Sequence, residues 1–229
     1  MGPQLKPARA ADREAELRAE EADALARAWW GRVPKVLTDP RSVFVALRET
    51  DELDVGARSE PLLAITILAG VAGVVLAPAW GTVMDDGSVD TLVLIVVTFI
   101  AGLFYGAGGY FLLGLALWLG AKAVGVDAPA RIARQLVGFA ALPFALSLVV
   151  LVPAIAIGFG EDWFRSGGAD EGTAGAVVVA VGLAFAAWSV VLVALGLRTT
   201  LRLPWRGVAG ALGLSAVLIG AVAVLPTAL

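Results

Sequence analysis

The chain reads as an all-α polytopic membrane protein with five transmembrane helices behind an N-terminal cytoplasmic amphipathic segment. Two observations say so. The first is five long apolar runs: Pro61–Trp80, Thr91–Gly120, Gln135–Gly158, Thr173–Leu197 and Gly207–Leu229, none with an Asp, Glu, Lys or Arg. The second is that Lys and Arg fall almost wholly in every second gap between them. The composition agrees, at 59% hydrophobic residues with a mean hydropathy of +0.86. Each run is about 20 residues or longer, enough to cross a hydrocarbon core of about 30 Å. Only helices or closed barrels satisfy their own backbone in lipid, and barrel strands would be shorter and alternate in polarity.

The charges set the orientation. Ten of the 17 Lys and Arg precede Pro61. The gap 81–90 has none and carries Asp85, Asp86 and Asp90; the gap 161–172 has Arg165 against Glu161, Asp162, Asp170 and Glu171. Lys122, Arg131 and Arg134 fill the second gap, and Arg198, Arg202 and Arg206 the fourth. Short basic loops stay cytoplasmic, so the N-terminus is expected inside and the C-terminus outside. Arg and Ala enrichment suggests a bacterial source, hence the cytoplasmic (inner) membrane. No cleavable signal peptide is expected, because the first apolar run starts only at Pro61.

Residues 1–60 form the cytoplasmic and interfacial part, and 61–229 the membrane domain. Residues 9–30 read as a charged helix with Glu14–Arg18 and Asp23–Arg27 pairs at i,i+4. Trp29 and Trp30, flanked by Arg32 and Lys35, suit a headgroup layer or packing on the chain's own membrane domain. Asp39-Pro40 is a helix start, with Asp as N-cap and Pro at the first position. The short helix that follows carries Val43, Phe44 and Leu47 on one side and Arg41, Arg48 and Glu49 on the other. It is expected to lie in the cytoplasmic interface.

The second run, of 30 residues, is either one long tilted helix or a hairpin broken at Gly106–Gly109. A hairpin would put Lys122, Arg131 and Arg134 on the outside, so the single helix is expected. Gly102, Gly106 and Gly109 fall on one of its faces and predict close helix packing, as do Gly70, Gly73, Gly182, Gly213 and Gly220 on other spans. Pro143 is expected to kink the third span.

These residues together resemble the Yip-domain proteins, named for interaction with Ypt/Rab GTPases. The resemblance covers roughly Trp30 to the C-terminus: VLTDPRSVFVAL with Pro40 and Phe44, GFAALPFALSLVVLVP with Pro143, and WSVVLVALGLRTT from Trp188 to Thr200. It implies a five-helix membrane domain without a cofactor. For eukaryotic members it implies vesicle traffic, membrane shaping and binding of prenylated GTPases. Those members share Asp-Leu-Tyr-Gly-Pro before the first span; here only Asp39-Pro40 stands. The resemblance therefore does not carry GTPase binding to this chain, which looks closer to a bacterial branch.

Catalytic chemistry is scarce. There is no Cys and no His, so no thiolate and no side chain titrating ordinarily near neutrality. Thr66, Thr98, Gln135, Ser147, Ser189 and Ser215 lie in the spans without a base beside them and are expected to hydrogen-bond between helices. The loop Asp85–Asp90 lacks the spacing and closing Glu of a calcium loop. Phe104–Phe111 (FYGAGGYF) is glycine-rich but not directly followed by Lys, so it is no phosphate cradle. No cofactor or metal is expected. Lys122, Arg131, Arg134, Arg198, Arg202 and Arg206 share one membrane face, with Trp205 among them; they either only orient the chain or also contact anionic lipid or a partner.

The function expected is a non-enzymatic membrane scaffold or adaptor. The alternative is a transporter, channel or lipid-translocating protein without ion coupling, and an enzyme is the least favoured. The bilayer is the first partner; a cytoplasmic protein on the N-terminal segment and a homodimer through the glycine faces are the others, with no nucleic acid. An odd number of crossings makes tags at residues 1 and 229 report from opposite compartments in a protease-accessibility assay; tags in one compartment contradict the topology.

Overall fold

The computed structural model describes residues 31–49, 60–77, 85, 90–164, 167–168 and 172–224. Among these, every regular element is helical. Residues 31–38 are helical. They lead into α1 (Pro40–Glu49), α2 (Glu60–Val75), α3 (Thr91–Ala123), α4 (Ala130–Ala140), α5 (Leu142–Phe159), a 3₁₀ turn (Gly160–Phe164), α6 (Thr173–Thr200) and α7 (Trp205–Val224).

Four helical stretches are long and apolar enough to cross a membrane: Leu92–Ala123, Ala130–Phe159, Thr173–Thr200 and Trp205–Val222. The first apolar run is the shorter helix Pro61–Val75. The expected span to Trp80 extends beyond it, and residues 78–80 lie outside those described.

The long second run is one unbroken helix. α3 has 33 residues, about 50 Å at the α-helical rise. Asp90 caps it, its carboxylate accepting from the Leu92 amide at 3.3 Å. Its glycines do not break it because lipid offers no replacement for lost backbone hydrogen bonds. Its first ten residues show the surface expected of a helix in lipid. Leu92, Val93, Ile95, Val96, Val97, Phe99 and Ile100 are all exposed, a patch no water-facing monomer sustains.

The third run departs from expectation at both ends. Its helix starts at Ala130, five residues before the apolar run, so Arg131 and Arg134 lie on α4 rather than in a loop. Pro143 does not kink one helix; it stands at the second position of a new one. The Ala141 amide still donates to Val137 O (2.9 Å) and Ala145 N to Ala141 O (2.9 Å). Proline lacks only a donor that a first turn does not use. The chain thus splits into an amphipathic α4 and an apolar α5.

Helix α3 is the hub. α2, α4 and α7 pack directly on it. α6 is held instead by α1, α4 and α5, and meets α7 only lightly. The tightest approach is α2 on α3. A Cβ on Gly70 would strike the backbone of Gly102 and Gly106, and one on Gly106 would strike that of Thr66 and Ile67. Bare backbone surfaces let dispersion contacts act where no hydrophobic effect operates between helices. Gly102 and Gly106 therefore pack as expected. Gly109 does not: a Cβ there meets only Leu113 Cδ1, at 3.9 Å, and the residue lines a cavity. Gly213 and Gly220 face open space.

This contrast is testable. Gly106→Ala should destabilise the protein by about 1–3 kcal/mol, because backbone cannot yield as a side-chain tip does. Gly109→Ala should be neutral or stabilising by up to about 1 kcal/mol through helix propensity. Thermal unfolding of the two variants in detergent separates them.

Candidate functional site

The end of the bundle that carries α1 is a closed protein layer. Val36, Val43, Phe44 and Leu47 pack in one core with Ala133 and Leu136 of α4, Leu192 and Leu197 of α6, and Val208 and Ala211 of α7. Asp39 starts α1 as expected, with the Ser42 amide donating to its carboxylate at 3.4 Å. Phe44 is 0% exposed. Its ring lies against Gly196, where a Cβ would also run into Leu136. Thr200 Oγ1 donates to Phe44 O at 2.9 Å, tying α1 to the end of α6.

This corrects the expected interfacial role of Phe44 and Leu47. α1 forms, but Val43, Phe44 and Leu47 are buried against α4 and α6 rather than turned to lipid. The Gly196 notch supplies a protein surface that fits an aromatic ring, and a buried ring gains more dispersion contact there than against mobile chains. Trp29 and Trp30 lie outside the described residues.

Three of the six candidate cations, Lys122, Arg134 and Arg198, have defined side-chain neighbours. The Lys122 amine lies 5.0 Å from the Trp118 ring, and Trp118 Nε1 donates to Ala128 O at 2.9 Å, closing the α3–α4 link. Arg134 lies along α3: its stem covers Gly114 and its guanidinium stands 5.7 Å from the Phe111 ring. Arg198 stands 5.2 Å from the Trp205 ring and donates to Leu203 O at 3.0 Å. Arg202 holds the α6–α7 link in a left-handed turn (φ 54°), from which the Leu203 amide reaches back to Leu197 O at 3.4 Å. Arg131 Nε is buried with no acceptor among the described residues. Arg206 is exposed. Tryptophan faces under cations are the arrangement of a membrane interface.

Beyond this layer lies a cavity of about 610 Å³ between α3, α7 and α6, with α2 and the α4–α5 junction behind it. Its wall beside Pro143 is Ala140, Ala141 and Phe144. Spacing on single helices could not show it, because each wall comes from a different run. Its serine and threonine hydroxyls are engaged. Thr66 Oγ1 donates to Leu63 O (2.8 Å) and Ser189 Oγ to Phe185 O (3.2 Å). Ser215 Oγ stands 2.7 Å from Ala211 O and 3.0 Å from Ala116 O. Of the expected interhelical hydroxyls, Ser215 alone reaches another helix this way. Thr66, Thr98, Ser147 and Ser189 bond within their own helices, as short side chains do without needing a partner. Gln135 is buried. Most of the Asp85–Asp90 loop lies outside the described residues.

A family model for the Yip1 domain matches residues 35–225. No curated protein and no solved structure matches the chain. The matched range takes in α1 and all the apolar helices, and the chain belongs to the Yip1-domain family.

Phe44→Ala should lower stability by about 3 kcal/mol or more, since the notch at Gly196 cannot collapse. Thr200→Val should cost about 1 kcal/mol. Chemical unfolding in mixed micelles gives both values; a Phe44→Ala loss below 1 kcal/mol contradicts the docked α1.

Proposed function

We propose, starting from that family membership, that the chain is a non-enzymatic membrane scaffold or adaptor. It would cross the cytoplasmic membrane five times and present a fixed cytoplasmic layer to a partner. The single observation that carries this reading is the docking of α1. An amphipathic helix lying on lipid can slide and tilt; one whose Phe44 is fully enclosed and whose backbone is bonded to Thr200 holds a set position. Its other face, with Arg41, Ser42 and Val45, is exposed at the same end as the cations. A firmly held, mixed-polarity surface loses little conformational entropy on binding.

Two further features favour this reading over an enzyme or an ion-coupled carrier. The cavity hydroxyls of Thr66, Ser189 and Ser215 already donate to backbone carbonyls, so they are poorly placed as nucleophiles. The four long apolar helices carry their cations only toward one end, Lys122 on α3, Arg131 and Arg134 on α4, Arg198 on α6 and Arg206 on α7, whereas ion pathways ordinarily place charge at mid-depth.

The five-crossing topology adds α2 as the short member. Its 16 residues span about 24 Å, which local thinning of the bilayer accommodates. The groove beside Pro143 favours a second reading, movement of lipid between leaflets. Fluorescent-lipid exchange in vesicles that exceeds protein-free controls would support it.

For the scaffold, in-cell crosslinking from Ser42→Cys should recover a defined cytoplasmic protein in a 1:1 adduct. Val45→Asp, on the same exposed face, should reduce that adduct at least about tenfold, as loss of a central interface contact does. An adduct pattern unaltered by Val45→Asp contradicts the scaffold reading.

A further inference from the structure

Cations stand beyond the cavity on the helices that line it. On α3, α6 and α7 the lining residues nearest the α1 end are Leu117, Val193 and Leu212. Each is followed toward that end by an exposed cation on the same helix: Lys122 five residues on, Arg198 five residues on, and Arg206 six residues back. At the helical rise those offsets are about 8–9 Å. Lys122 is turned away from the groove, onto Trp118 at the α3–α4 link, whereas Arg198 lies over Trp205 at the α6–α7 link, where Arg206 follows. The stretches 113–134 and 193–206 together hold six cations against one carboxylate, Asp127.

The cavity opens sideways. Its floor, including Gly106, Tyr110, Leu117, Val137 and Ser215, is buried, while Tyr105, Leu113, Val190, Ala216 and Ile219 are exposed along its rim. That rim is continuous with the exposed apolar surface of Val191, Val217 and Val222, the surface that faces hydrocarbon. On α3 the lining runs from Tyr105 to Leu117, about 18 Å along the helix axis. With the hydroxyls of Thr66, Ser189 and Ser215 already bonded and the rest of the lining almost wholly apolar, a polar solute finds few partners there. Water in so apolar a space is unfavourable as well.

We propose that this groove binds one acyl chain of an anionic phospholipid, with the phosphate set at Arg198 and Arg206 beside the α6–α7 link. The chain enters from the side of the bundle and lies along α3 over Gly109, whose missing side chain leaves the room it occupies. Each cation favours an anionic headgroup by about 1 kcal/mol, roughly a fivefold preference per residue. The apolar groove selects the chain, and the cations select the charge. The inference rests on the membrane reading of the fold and is independent of any protein partner.

The test uses the full chain in vesicles containing trace photoactivatable phosphatidylglycerol, with a diazirine on the mid-chain carbon. Phosphatidylcholine with the same chains is the comparison. Crosslinks should concentrate in peptides 105–117, 186–193 and 212–219, with at least about a tenfold preference for phosphatidylglycerol. Gly109→Phe, which fills the groove from an open position, should reduce that labelling at least fivefold while the unfolding temperature stays near wild type. Ala216→Trp on the rim serves if the first variant folds poorly. The double variant R198Q/R206Q should keep phosphatidylcholine labelling and bring the two lipids close to parity. Label spread evenly over the lipid-facing surface, including residues 92–100, means annular lipid only and overturns the site. So does labelling that survives both groove-filling variants. A preference unchanged in the double variant overturns the headgroup assignment.

Discussion

The backbone-to-backbone crossing of α2 and α3 is the contact on which the rest of this bundle depends. Gly70, Gly102 and Gly106 bring the two backbones into direct contact where the helices meet, with the Val71 side chain lying on Gly102. In lipid there is no gain from burying apolar surface against apolar surface, so stability follows how closely atoms approach. With α2 fixed across the middle of α3, α5 can pack on α2 while α4 packs on α3, and the α4–α5 break at Ala141 spans between them. α6 then attaches to α4 and α5 rather than to α3, which leaves a seam between α6 and the α3–α7 pair. The cavity is that seam.

The two ends of the molecule obey different physics. At the α1 end, Phe44, Leu136, Leu192 and Leu197 are enclosed, and cations stand over tryptophan rings. At the other end, α3 and α6 present isoleucine, valine and phenylalanine outward, with Ile157 of α5 88% exposed. The molecule thus joins a protein core at one end to a lipid-facing surface at the other.

Sequence reasoning recovered α3 as one helix, because a hairpin at Gly106 would have put three basic residues on the wrong side. It recovered the start of α1, because Asp-Pro has few other local uses. It misjudged Phe44 and Leu47, since an apolar edge on a short helix looks the same whether lipid or protein covers it. It also counted Gly109 with Gly102 and Gly106. Helical spacing puts all three on one face, but α2 crosses that face at an angle and leaves Gly109 beyond the contact.

The sequence alone determined the solvent of each segment, the helical state of the apolar runs and the clustering of basic residues between them. Those properties follow from local composition: transfer free energies and backbone satisfaction act residue by residue along the chain. Tertiary structure alone decided which glycines touch, that α1 docks into the notch at Gly196, and that the helices leave an apolar groove open between α6 and the α3–α7 pair. Each of these depends on crossing angles and distances between segments far apart in the chain, and no periodicity within a single helix encodes them.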